Sequence, residues 1–152
     1  MLFPLLALAA NTVSPTPASE TSVAAAMRVV RNYYAAVSGH DYRAAYAIWH
    51  GSQSYAYFRR GYATTRNVRV TFLKPGETEG AAGSIYVELP VRVDATLRSG
   101  RRQHFVGSYT LRRVNDVDGS TAAQRHWHIE SAHLKQVHWK ILPRQGEVAG
   151  EA

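Results

Sequence analysis

SIYVELPVRVDATLR, residues 84–98, decides the fold. Ile85, Val87, Leu89, Val91, Val93, Ala95 and Leu97 fall on alternate positions, with Tyr86, Glu88, Pro90, Arg92, Asp94 and Thr96 between them. Successive side chains of a strand point to opposite faces, so this is one long strand with an apolar and a polar side. Such length implies strong curvature, and Pro90, which has no N–H to give to a ladder, marks an edge or a bulge. Ser99-Gly100 is a compact turn into a second run, Gln103 to Asn115, and the two runs form an antiparallel hairpin. A polar connection, Asn115 to Ala123, leads to a third run, Gln124 to Leu134, with Trp127 and Ile129 on one face and His128 and Glu130 on the other.

Upstream of this sheet the apolar period changes from two to between three and four. Met27, Val30, Tyr34 and Val37 form one stripe of a helix that stops at Ser38-Gly39. Asp41 is placed to cap a second helix, whose buried face is Tyr42, Ala45, Tyr46 and Trp49, and the short turn makes the two helices antiparallel neighbours. Ser52 caps a third, shorter helix through Arg60, ended by Gly61. Val68, Val70 and Phe72 alternate with Arg69, Thr71 and Leu73 as a first strand, and Lys74 to Gly83 reads as a loop. Helices followed by long antiparallel strands describe an α+β domain in which a curved sheet wraps a helical bundle into a cone-like barrel.

At 152 residues the chain fits one domain, and a globule of this length buries roughly 68–70% of its unfolded-chain surface. Residues 1–10 are apolar apart from Pro4, and Ala7-Leu8-Ala9 has the small-x-small spacing of a signal-peptidase site. They read as the end of an export signal, which sets the expected location as periplasmic. Residues 11–22, rich in Ser, Thr and Pro, are a flexible linker; the domain spans 23–142, with Trp139, Ile141 and Leu142 available to dock, and 143–152 are a tail. No apolar run approaches the roughly 20 residues of a membrane-spanning helix. The chain has no cysteine, which excludes disulfides, thiolate metal sites and a Cys nucleophile.

The formal charge is +7, carried by 15 Arg and 3 Lys scattered along the chain, not gathered in one run. Nucleic-acid binding calls for a basic stripe interleaved with stacking aromatics, and that pattern is absent from the sequence. Arg69, Arg92, Arg98, Arg101, Arg102, Arg112, Arg113 and Arg125 lie on or beside strands and are expected to share a solvated sheet face.

The segments VVRNYYAAVSGHDYRAAYAIW, GYATTRNVRV, SIYVELPVRVDATLRSG, HFVGSYTLRRVN and WHIESAHL resemble, in order and spacing, the nuclear transport factor 2-like superfamily, which includes ketosteroid isomerase and many small bacterial envelope proteins. The resemblance implies a cone used as a small-molecule pocket, as an isomerase or dehydratase site, or as a docking and dimerisation surface. A homodimer through the outer sheet face would draw on Val106, Val114 and Leu134, apolar but out of phase with the core.

An isomerase of the ketosteroid type needs a carboxylate base facing a Tyr and a protonated acid. Tyr33, Tyr34 and Tyr46 offer phenols, but Glu88, Asp94 and Glu130 alternate away from the apolar face, and Asp41 is a cap. His126 and His128, two apart on one strand face, would chelate a metal only with a third ligand such as His104, so no metal site is assigned. Phosphate loops, nucleophile elbows, H-E-x-x-H and dinucleotide motifs are missing, and no cofactor is expected. Tyr34, Tyr46, Trp49, Phe58, Tyr62, Tyr109 and Trp127 remain as candidates to line a cavity for an apolar ligand. The expectation is a non-catalytic binding domain of the cell envelope, taking a small apolar ligand or a protein partner. The alternatives are a cofactor-independent isomerase-like enzyme and a structural subunit of an envelope or secretion assembly.

Overall fold

The computed structural model describes residues 21–74 and 76–138. The export signal, most of the linker and the docking of Trp139, Ile141 and Leu142 lie outside the described residues. Three helices, α1 (Val23–Ser38), α2 (Tyr42–Ile48) and α3 (Tyr55–Gly61), precede five strands: β1 (Thr65–Phe72), β2 (Thr78–Ala81), β3 (Ser84–Leu97), β4 (Arg102–Val114) and β5 (His128–Val137). All pairings are antiparallel; the sheet runs β1-β3-β4-β5, with β2 also paired to β3. β1 and β5 are not paired with each other, so the barrel is an open, curved sheet with the helices in its concavity.

Each helix begins where a hydroxyl or carboxylate takes an otherwise orphaned N–H. The side chains of Ser22, Asp41 and Ser54 accept from the backbone of Ala25, Ala44 and Tyr57. Ser54, not Ser52, therefore caps α3, which starts two residues later than expected. On β3, Val87, Leu89, Val91, Val93, Ala95 and Leu97 are buried and their alternates are not. Val87, Leu89, Val91 and Val93 pack with Ala26, Val30 and Val37 of α1, Leu111 of β4 and Ile129 of β5 in one core.

The two edges of the sheet are fastened to the helical layer. Ser38 Oγ, at the end of α1, accepts from Val68 N–H at 2.9 Å and donates to Val68 C=O at 3.3 Å, serving edge groups of β1 that face away from β3. At the opposite edge His50 N–H donates to the Ile129 carbonyl at 2.9 Å, beside a parallel bridge between Trp49 and Ile129.

Four sequence expectations need correction. Thr78–Ala81 is a strand, not loop: its residues are all exposed, so no apolar alternation announces it, and it exists through pairing with Val87 to Ser84. Residues 124–127 are turn, and β5 starts at His128, where the ladder with Arg112 begins. Leu134 faces inward, because a register shift at Thr110/Leu111 inverts the parity of β5 beyond Ile129. Arg113 is buried on the inner side of β4, its Nε donating to the Arg125 carbonyl at 2.8 Å, so it does not share the solvated face.

Pro90 sits inside the central strand at a local edge. Its carbonyl accepts from Leu73 N–H just past the end of β1, and β2 does not begin until Thr78 opposite Val87. A strand residue's N and C=O point to the same neighbour, so the donor that proline lacks would face the gap between β1 and β2.

Gly107 marks where β4 and β5 approach most closely. A Cβ there would lie 1.8 Å from the His133 carbonyl oxygen and 2.9 Å from Leu134 Cα. Gly107→Ala is expected to push the strands apart and lower stability by about 2 kcal/mol; urea unfolding with a midpoint equal to that of the parent chain would remove this role for the glycine.

Candidate functional site

The interior of the cone is built from consecutive tyrosines of α1. Tyr33 and Tyr34 are both buried, because the helix lies between the sheet and α3. Tyr33 makes edge-on ring contacts with Phe58 and Tyr62 on one side and Tyr109 on the other, at 6.1, 6.5 and 6.4 Å between centroids. Tyr33 and Tyr62 share a hydrogen bond between hydroxyls at 2.8 Å, and Tyr34 and Tyr109 share another.

Each pair contains two O–H protons and uses one of them internally. Neither pair has a further hydrogen-bond partner among the described residues. One phenolic proton per pair is thus without an acceptor among the described residues, buried in the Tyr34–Tyr109 pair and half-buried in the Tyr33–Tyr62 pair. Burial, with the neighbouring phenols second, pushes the Tyr33 and Tyr34 hydroxyls above their ordinary value. Burial likewise raises Tyr62, against the hydrogen bond from Tyr33, and Tyr109, against that from Tyr34. All four stay neutral at any physiological pH and act as donors, not as bases.

Two cavities adjoin these hydroxyls. One, of about 230 Å³, is lined by Tyr34, Tyr62, Thr65, Val68, Val93, Ala95, Gln103, Phe105 and Leu134, with Gly61. The other, of about 330 Å³, is lined by Tyr33, Trp49, Gln53, Tyr57, Phe58, Tyr109 and Ala132, and shares Gly61, Tyr62 and Leu134 with the first. Tyr62 is the partition between them. Tyr57, 62% exposed, stands at the rim of the second. No Asp, Glu, Lys or Arg lines either cavity.

Of the residues expected to line a pocket, Tyr34, Trp49, Phe58, Tyr62 and Tyr109 do so. Tyr46 and Trp127 are not among the lining residues. Tyr46 spends its hydroxyl on the Gln53 carbonyl at 2.8 Å and packs its ring on Tyr55 and Phe58, while Trp127 is buried in the core. Sequence reasoning offered Tyr33 as a phenol but not as a lining residue; its signal was adjacency to Tyr34 on a helix buried on two sides. Phe105 and Leu134 were missed as well.

The histidines do not assemble a metal site: the described residues contain no cluster of three or more His, Cys, Asp or Glu suited to a metal. His104 pairs with Val137 near one end of β4, whereas His128 pairs with Arg112 eight residues along, roughly 26 Å away at 3.3 Å per residue. His104 Nδ1 lies 2.6 Å from Asp94 Oδ1, and His128 Nε2 lies 3.1 Å from Glu130 Oε2. His50 stacks on His128, with ring centroids 3.9 Å apart.

No protein-family model matches the chain, and no curated protein matches it significantly in sequence. A solved structure is similar: a nuclear transport factor 2 (NTF2-like) superfamily protein from Salmonella enterica subsp. enterica serovar Typhimurium str. LT2, with a TM-score of 0.54 and 12% sequence identity, over 84% of this chain and 99% of that one. The fold is nuclear transport factor 2-like. In this nuclear transport factor 2-like cone the paired tyrosines lie within the concave side, and the charged residues of the sheet lie mostly on the convex side. Among the described residues no helix is long and apolar enough to cross a membrane.

The stacked histidines lie at the β5 edge of the cone, where the His50 amide holds Ile129. Burial, and then the charge that His128 would carry, lowers the pKa of His50 below 6.5, against an opposing pull from Glu130, which also lies 3.8 Å from Arg112. Protonation of His50 therefore favours the unfolded chain: the stability linked to its neutral form is complete above pH 6.5 and is lost as the pH falls below that value. His50→Gln is expected to flatten the decline of stability between neutral and mildly acidic pH. Parallel stability–pH curves for parent and variant would show that His50 does not titrate differently in the folded chain.

Proposed function

We propose that the protein is a binding domain that takes a small, uncharged, mostly apolar molecule carrying an oxygen acceptor into the interior of its cone. The observation that carries this reading is the spare phenolic proton in each tyrosine pair. A buried donor without an acceptor costs about 1–3 kcal/mol, a cost that a carbonyl or ether oxygen of a ligand would relieve. The apolar lining of Val68, Val93, Phe105, Phe58 and Leu134 suits the remainder of such a molecule. With no cationic side chain in either lining, a buried carboxylate ligand would go uncompensated, which favours a neutral one.

Lobes of this size, joined by movement of the Tyr62 side chain, fall within the lower range of small-molecule sites, about 300 Å³ upward. The isomerase alternative needs a base beside the phenols, and neither lining supplies a carboxylate. The proposal places the domain in the cell envelope; its support there is the apolar stretch 1–10 with its small-x-small spacing.

The test is a titration with prodan, an uncharged naphthyl ketone whose emission shifts to the blue when it leaves water. The parent chain is expected to bind it. In a Tyr34→Phe/Tyr109→Phe double variant both partners of one pair become apolar, so stability should be unchanged or higher while affinity falls about tenfold. A lack of blue-shifted emission with the parent chain, or equal affinity in the variant, would rule the reading out.

A further inference from the structure

The convex side of the sheet is unevenly charged along its strands. Toward the β3–β4 turn lie Arg66 and Arg69 of β1, Arg92 of β3, Arg98 and Arg101 of the turn, Arg102 of β4 and Lys135 of β5. The acid in that half is Asp94. Glu77, Glu79, Glu88, Asp116, Asp118 and Glu130 lie toward the other end, mixed with Lys74, Arg112 and Arg125, of which Arg112 and Arg125 pair with Glu130 and Asp116.

The register gathers part of this basic half around one depression. Asp94 is paired with Arg69 on one side and His104 on the other, and Thr96 is paired with Arg102. A depression of about 560 Å³ is lined by Arg69, Arg92, Asp94, Thr96, Arg102 and His104, together with Asn67 and Ala95.

The charges within it do not balance. Both Asp94 oxygens are engaged, Oδ2 by Arg92 Nε at 3.1 Å and Oδ1 by His104 Nδ1 at 2.6 Å. Burial alone would raise the Asp94 pKa, but these hydrogen bonds and the Arg92 charge outweigh it, and the carboxyl is held below its ordinary value. Asp94 is thereby spent on fixing Arg92 and His104. The side chains of Arg69 and Arg102 make no hydrogen bond or ion pair with any described residue. They stand on strands flanking β3, two strands apart and offset by two residues, roughly 12 Å between Cα atoms, and their long side chains can reach one ligand lying over β3. Two guanidinium forks without a protein partner in one depression suit a doubly charged oxyanion, which arginine grips through paired N–H groups.

We propose that this depression is a phosphate site. It takes a phosphomonoester-type dianion, from a soluble molecule or from a lipid headgroup, with Arg69 and Arg102 as the charged contacts, Arg92 positioned by Asp94, and the Thr96 hydroxyl and Asn67 amide within the same lining. The site is separate from the cone interior, so either proposal can fail without the other.

The experiment uses the full chain at low ionic strength, where charge interactions reach furthest. Amide chemical shifts are followed with inorganic phosphate, and co-sedimentation with phosphatidylcholine vesicles containing phosphatidate. Arg69→Gln/Arg102→Gln is the test variant, with exposed Arg59→Gln on α3 as the charge control; thermal midpoints verify that both remain folded. Saturable shifts centred on β1, β3 and β4, weakened at least about tenfold in the double variant and unchanged in the control, support the site and a soluble source. Vesicle binding without a response to inorganic phosphate, again lost only in the double variant, supports the site and a lipid source. No response to either probe, a response that survives the double substitution, or an equal loss in the control would overturn it.

Discussion

Burial of the apolar row of β3 beneath α1 is the constraint on which the rest of this molecule depends. Each Leu or Val in that row contributes roughly 1.5–3 kcal/mol by leaving water, and the sheet bends around α1 so that Val87, Leu89, Val91 and Val93 join its residues in one core. Bending brings β4 and β5 close enough at Gly107 to exclude even a methyl group. It also leaves the sheet open, with β1 and β5 apart, and the two edges are then served by Ser38 and by the His50 amide. The helices act as a wedge that the edges are tied to.

The same burial explains why the interior is aromatic and uncharged. Large rings fill the space between helix and bent sheet, and T-shaped contacts suit rings packed at these distances. Tyrosine brings a hydroxyl with each ring, and here those hydroxyls turn to one another. Four phenols make two bonds, so the filling is apolar in bulk and donor-rich at two points. Most charge is displaced to the convex side, where the end near the β3–β4 turn is mostly basic and the other end carries both signs.

Elements announced by local pattern were legible in the sequence. The alternation of β3, the stripe of α1, the Asp41 cap and the Ser99-Gly100 turn, with Gly100 at a φ of 87°, each rest on chemistry within a few residues. What failed depended on distant partners. β2 has no apolar face to announce it and exists because β3 extends past the end of β1. The inward turn of Leu134 follows from a bulge, which resets every later residue of β5 and leaves no mark in composition. Arg113 is a different case: it shares parity with Tyr109 and Leu111, so its inward placement was written in the alternation and was masked by the preference of arginine for solvent. At the site, five of the seven proposed aromatics line the cavities. The pairing of hydroxyls joins residues 29 and 75 positions apart, beyond the reach of any local pattern.

The gap opposite Pro90 has a consequence for how copies of this chain meet. An outer strand presents a row of amides and carbonyls to which a strand from another molecule can add, and the hazard grows with the length and flatness of that row. Here the β3 side ends not in one long strand but in β1 and β2, eight and four residues long, broken between them by the segment from Leu73 to Glu77. Ser38 occupies both backbone groups of Val68 within the longer piece. The sheet thus offers a newly made chain no extended template on that side, which guards against strand addition between copies while the domain is folding.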